Sequence, residues 1–234
     1  MKKSETVFLF DVDNTLLDND AVTADLRAFL EGEVGAARNA TYWKIFEELR
    51  NELGYADYLG ALQRYRIQFP YDSHLLALST YLINYPFINR LFTGAIDVIK
   101  RCQKIGTVVI LTDGDVVFQP RKIETSGLLD AVQGNILIYI HKEQELADVE
   151  RRYPAERYVL VDDKLRILTA IKKIWGERVT TVFPRQGHYA NDLAEIAKYP
   201  DADIDVAGIA DLLIAETLVV ETVPKVCDRV RRNF

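Results

Sequence analysis

Val7-Phe8-Leu9-Phe10-Asp11-Val12-Asp13-Asn14-Thr15-Leu16-Leu17-Asp18 is the stretch on which the reading of this chain turns. Four apolar residues suited to a buried strand run straight into two carboxylates, then into a turn-forming Asn-Thr pair. Side chains alternate along extended chain, so Asp11 and Asp13 project to one side and Val12 to the other. Two carboxylates so close repel each other and are costly to leave near a core without a partner. A divalent cation is a natural partner, because hard cations prefer carboxylate oxygens. A polar turn built from Asp13, Asn14 and Thr15 is the other reading, and the stretch alone leaves both open.

Outward from it, the chain changes character twice. From about residue 19 to about residue 90 the patterns are helical, with no convincing strand. Val22, Leu26, Phe29 and Leu30 have helical spacing; Trp43, Phe46 and Leu49 suggest a second helix stopped at Gly54; 58–67 and 74–83 are two more. This region also holds most of the tyrosines. Beyond Pro86, helices alternate with short apolar strands at 107–111, 135–140, 157–161 and 179–183, with a short sixth strand at 204–206. That alternation predicts an α/β fold with a parallel sheet covered on both faces. The expected division is a core of residues 1–18 and 91–234 and a helical insertion of residues 19–90. The tail from Ala207 to Phe234 reads as partly helical, with a solvated basic end at Arg229, Arg231 and Arg232.

Length and composition fit this division. A chain of 234 residues can bury one sizeable core with a modest insertion. A net charge of −6 argues against nucleic acid as a general partner. Cys102 and Cys227 have no metal-ligand spacing. No signal peptide and no membrane-spanning run is evident, so the expected location is the cytoplasm.

Asp11-Val12-Asp13-Asn14-Thr15, at the end of the first strand, resembles the first motif of the haloacid dehalogenase (HAD) superfamily, Asp-x-Asp-x-Thr. Later motifs follow in order at later strand ends. Thr112 resembles the second motif, followed by Asp113-Gly114 where relatives often have Asn-Gly; Gly114 lets backbone N–H groups approach an anion. Lys142 stands where the third motif places its lysine, with Glu143 in place of the usual Pro. Lys122 is the second choice for that role and reads as a surface helix residue. Asp162-Asp163 resembles the double-Asp form of the fourth motif.

The resemblance implies a Rossmann-like core with a C1-type helical cap, and a Mg-dependent hydrolase acting on a small phosphorylated metabolite. Asp11 would be the nucleophile and Asp13 the acid and base. Thr112, Asp113, Gly114 and Lys142 would hold the phosphoryl group. Mg2+ would be held by Asp11, Asp163 and the backbone carbonyl of Asp13, with Asp162 on Lys142 or on a metal-bound water. Arg64, Arg66, His74 and the surrounding tyrosines are cap residues that could meet substrate, although aromatics at helical spacing more often form cap core and such arginines are more often solvated. A 2-haloacid dehalogenase, which needs no Mg, is the nearest alternative, but dehalogenases of the superfamily lack the second aspartate of the first motif. A phosphonatase, a phosphomutase or a non-catalytic phosphate- or metal-sensing module are the others.

Overall fold

The computed structural model describes residues 4–214. Ser4–Phe10 forms β1, and the chain then stays helical through α1 (Asn19–Leu53), α2 (Tyr58–Gln68) and α3 (Leu75–Ile83). The remainder alternates: α4 (Ala95–Cys102), β2 (Thr107–Asp113), α5 (Phe118–Thr125), α6 (Leu128–Ala131), β3 (Ile136–Tyr139), α7 (Leu146–Arg152), β4 (Ala155–Val161), α8 (Leu165–Trp175), β5 (Val179–Pro184), α9 (Gly187–Asn191), α10 (Leu193–Ile196) and β6 (Ile204–Val206). The strands form one parallel sheet in the order β3-β2-β1-β4-β5-β6.

Alternation along β1 explains why both faces of the sheet are covered. Phe8 and Phe10 join Val108, Ile110, Val159 and Val161 in one buried cluster, which continues into α4 and into α1 and α2. Val7 and Leu9 face the other way, against Leu168 and Ile171 of α8. β1 is flanked by β2 and β4, so the residues just beyond it emerge between the carboxyl ends of two neighbours, where ligands of such sheets collect.

In the helical insertion the two helices expected at about 21–30 and 43–50 are both present; they extend toward one another and meet within α1 at Gly35, whose φ of 78° and ψ of 163° leave the helical region. The joining residues are mostly exposed, so the apolar period that reveals a helix in sequence is absent there. Gly54 ends α1 in the left-handed conformation at φ 82°, as expected of a helix stop. α9 and α10 were not anticipated; both are short and carry little periodic signal. The basic tail and Cys227 lie outside the described residues.

The turn between α2 and α3 is organised by Asp72, whose side chain is fully buried. It accepts hydrogen bonds from Tyr65 Oη at 2.6 Å, Arg38 Nη1 at 2.9 Å and the His74 backbone N–H at 2.9 Å, with His74 Nδ1 2.8 Å away. Burial alone would raise the Asp72 pKa, but these partners outweigh it and hold the carboxyl down at about 2. A depressed folded pKa stabilises above the unfolded value of about 3.9 and loses that contribution as pH falls through the folded one. Asp72→Asn is therefore expected to cost about 2 kcal/mol near neutral pH. Thermal melts of both proteins from pH 6 to pH 2 should show the gap narrowing below about pH 4; a gap constant with pH contradicts the assignment.

Candidate active site

The first strand ends in a turn that fixes its polar residues individually. Asn14 adopts φ 59°, and its Oδ1 accepts the backbone N–H groups of Asn19 and Asp20, holding the start of α1. Asp18 Oδ1 accepts from Ala21 as the helix cap. Thr15 Oγ1 accepts the Asp163 N–H at 3.1 Å, tying the first motif to the end of β4. The Asp11 N–H donates to Val161 O at 3.0 Å, so Asp11 lies beside Asp162 and Asp163.

Carboxylate oxygens of Asp11, Asp162 and Asp163 lie within 4.8 Å of one another, and all three residues are buried. Lys142, from the turn after β3, enters this group. Its Nζ is 2.5 Å from Asp11 Oδ1 and 2.6 Å from Asp162 Oδ2, and it also donates to Leu111 O at 3.3 Å. Burial would lower the Lys142 pKa, but Asp11, Asp162 and Asp113 outweigh it and hold the ammonium above its ordinary value. The opposite holds for Asp163, which burial pushes well above the carboxylate range against the pull of Lys164. Asp162 is raised for the same first reason, with Lys142 opposing.

Around this centre, Thr112 is buried and its Oγ1 accepts from Gln119 Nε2 at 3.0 Å. Asp113 Oδ1 accepts the Lys142 backbone N–H at 2.7 Å, and burial lifts the Asp113 carboxyl to about 6 against the nearby Lys142 charge. The Gly114 N–H donates to Tyr139 O at 3.0 Å, and a Cβ there would come within 2.7 Å of the Gln119 side chain. Gly114 thus makes room for the side chain that holds Thr112.

One reading from sequence is corrected here. Lys122 is not a surface residue: it is 1% exposed, and its Nζ donates to Asp13 Oδ1 at 2.6 Å and to Asn19 Oδ1 at 3.0 Å. The Asp13 carboxylate is accordingly not in the buried acidic cluster but turned toward Lys122. Arg64, Arg66 and His74 are absent from the cavity above the cluster; Arg64 pairs with Glu52, and His74 with Asp72. That cavity, of about 470 Å³, lies between the sheet's carboxyl edge and the insertion, with Asp13, Asp113, Gly114, Lys122 and Lys164 on one side and α1 and α2 on the other. The sequence reading missed Lys164, Gln119 and the α1 residues of the cavity. The spacing of Asn19, Thr23 and Arg27 along α1 was the available signal for the last.

The cluster fits a hard divalent cation. Asp11 Oδ2 and both carboxylate oxygens of Asp163 are buried with no hydrogen-bond donor, an arrangement costly unless a cation shares them.

No family model matches this chain, and no curated protein matches it. Among solved structures, the magnesium-bound HAD-hydrolase YfnB from Bacillus subtilis is 18% identical at a TM-score of 0.60, over 91% of this chain and 98% of that one. L-2-haloacid dehalogenase from Xanthobacter autotrophicus is also 18% identical, at a TM-score of 0.58, over 89% and 96%. Both share the fold. A protein from Burkholderia xenovorans LB400 described as a haloacid dehalogenase-like hydrolase is much nearer, 61% identical at a TM-score of 0.86 over 90% of this chain and 98% of that one. Identity at that level across nearly the whole relative, on a sheet whose strand ends carry the four motifs in order, makes this chain a member of the haloacid dehalogenase-like hydrolases.

Proposed function

We propose that the protein is a Mg-dependent phosphomonoesterase acting on a small phosphorylated metabolite through an aspartyl-phosphate on Asp11. The observation that carries this reading is the trio Asp11, Asp162 and Asp163 with three buried carboxylate oxygens lacking a donor. A dehalogenase needs no metal and has no use for a second aspartate in the first motif. Here Asp13 is present and engaged by a buried lysine, which favours phosphoryl chemistry.

In this reading, Asp11, Asp163 and the backbone carbonyl of Asp13 hold Mg2+. Once bound, the ion screens the carboxylate nucleophile from the phosphate dianion. An Asp11 oxygen bonds to phosphorus as the ester P–O bond breaks, and Asp13 protonates the departing oxygen. Water then attacks the aspartyl-phosphate, gives its proton to Asp13 and releases inorganic phosphate. Lys142 and the Thr112 hydroxyl stabilise charge on the phosphoryl oxygens, and Asp162 positions Lys142. The insertion of residues 19–90 serves as a cap that excludes water and selects the leaving group.

The test is hydrolysis of 4-nitrophenyl phosphate and of 2-chloropropionate, each with Mg2+ and with excess chelator. Phosphate release that needs Mg2+, with no chloride release, is the expected result. Chloride release undiminished by chelator overturns the reading in favour of a dehalogenase.

A further inference from the structure

An aromatic wall runs through the cavity, with a cation against each end. Phe118 and Tyr58 lie 4.9 Å apart between ring centroids, Tyr58 and Phe46 4.7 Å, and Phe46 and Trp43 5.2 Å. All four line the cavity and are buried. At the catalytic end Lys122 Nζ is 5.4 Å from the Phe118 ring centroid and bonded to Asp13. At the far end the Arg27 guanidinium lies 4.2 Å from the Trp43 ring centroid.

The two ends differ in what they lack. Lys122 is neutralised by Asp13, Arg50 has Glu47 at 3.6 Å and Arg166 has Glu143 at 2.7 Å. Arg27 has no carboxylate within 4.0 Å among the described residues. Beside it, the Trp43 indole N–H is buried with no hydrogen-bond acceptor, although a buried Trp N–H ordinarily finds one. The exposed guanidinium and the buried N–H are both donors on neighbouring cavity residues. The span is set by α1. Asn19, which accepts from Lys122, and Arg27 are eight residues apart on one helix face, about 12 Å along the axis.

We propose that the leaving group of the natural substrate is an elongated planar moiety ending in a second oxyanion, with its ring system along the Trp43–Phe118 wall and its far anion on Arg27 and the Trp43 N–H. This rests on the phosphomonoesterase reading above and names its substrate class. An anion so far from phosphorus is bound equally in ground and transition states, so its effect belongs in KM and leaves kcat little changed. A guanidinium also pairs well with the two oxygens of a carboxylate.

The experiment compares 4′-carboxybiphenyl-4-yl phosphate with its methyl ester, and with 4-nitrophenyl phosphate as the plain phosphatase probe, all with Mg2+. The wild type should favour the acid over the ester by about tenfold or more, through KM. That ratio should fall close to one in Arg27→Met, stay partly intact in Arg27→Lys, and be reduced in Trp43→Phe, which keeps a six-membered aromatic ring and removes the pyrrole with its N–H. Arg27 is exposed on its helix, so Arg27→Met should fold; a circular-dichroism melt checks this. Hydrolysis of 4-nitrophenyl phosphate with no preference for the acid overturns this inference alone, as does a preference that survives in Arg27→Met. No hydrolysis of any of the three overturns the phosphomonoesterase reading and this inference with it.

Discussion

Asp11→Asn is expected to reduce turnover to background and to abolish covalent phosphorylation of the protein, while leaving the fold intact. Asp11 Oδ1 receives the Lys142 ammonium, and Asp11 Oδ2 is buried with no donor. An Asn oxygen can still accept from Lys142, which also retains Asp162, so the buried cation is not stranded. The amide is no nucleophile, however. Asp13→Asn should behave differently. Its oxygen still accepts from Lys122, and the nucleophile is untouched. Both proton transfers lose their agent, and turnover of an unactivated ester should fall by roughly 100-fold or more. With 4-nitrophenyl phosphate the first step needs little protonation, and an aspartyl-phosphate should then accumulate and appear as a covalent mass gain. Wild-type turnover of an alkyl phosphate by Asp13→Asn would show that Asp13 handles no proton. A module that only binds phosphate or metal predicts no turnover to lose in either variant.

The second large effect concerns the two buried lysines. Lys142→Met removes the cation between Asp11 and Asp162 and leaves both carboxylates buried, an arrangement whose cost is about 3–5 kcal/mol. Added Mg2+ should recover part of that loss, because the ion stabilises whatever state binds it. Turnover at saturating Mg2+ should still be down by about 100- to 1,000-fold, the magnitude for losing one preorganised charge-stabilising group. Lys122→Met should separate from it. The Asp13 side chain is 25% exposed, against 4% for Asp11, so water can solvate Asp13 once the lysine is gone and the loss of stability should be smaller. Melting temperature and kcat, each measured with and without Mg2+ for both variants, make the comparison. If Lys122→Met lost as much turnover as Lys142→Met while keeping its Mg2+-dependent stabilisation, the phosphoryl-holding role would move to Lys122.

Lys122 also marks the boundary between what local sequence carries and what it does not. Its burial depends on Asp13, 109 residues earlier in the chain, and on Asn19 at the start of α1. On a short polar helix nothing within a few residues distinguishes such a lysine from a solvated one. The same holds for the cavity wall. Trp43, Phe46 and Tyr58 read as helix core, and they are buried; that they also face a cavity ending at Arg27 follows only from how α1 and α2 pack over the sheet.

By itself the sequence determined the parallel α/β sheet, the helical character of the stretch after the first strand, and the order of acidic, hydroxyl and basic residues at the strand ends. These rest on short-range physics: apolar alternation buried on both faces of β1, Gly54 closing α1, and carboxylates placed where a strand gives way to a turn. Tertiary structure alone decided that Lys142 bridges Asp11 and Asp162, that Lys122 serves Asp13, that Gly114 yields its space to Gln119, and that the two helical halves of α1 meet at an exposed break at Gly35. Each of those depends on groups brought together from distant parts of the chain or on solvent-facing residues without periodicity, and such encounters leave no pattern within a window of neighbouring residues.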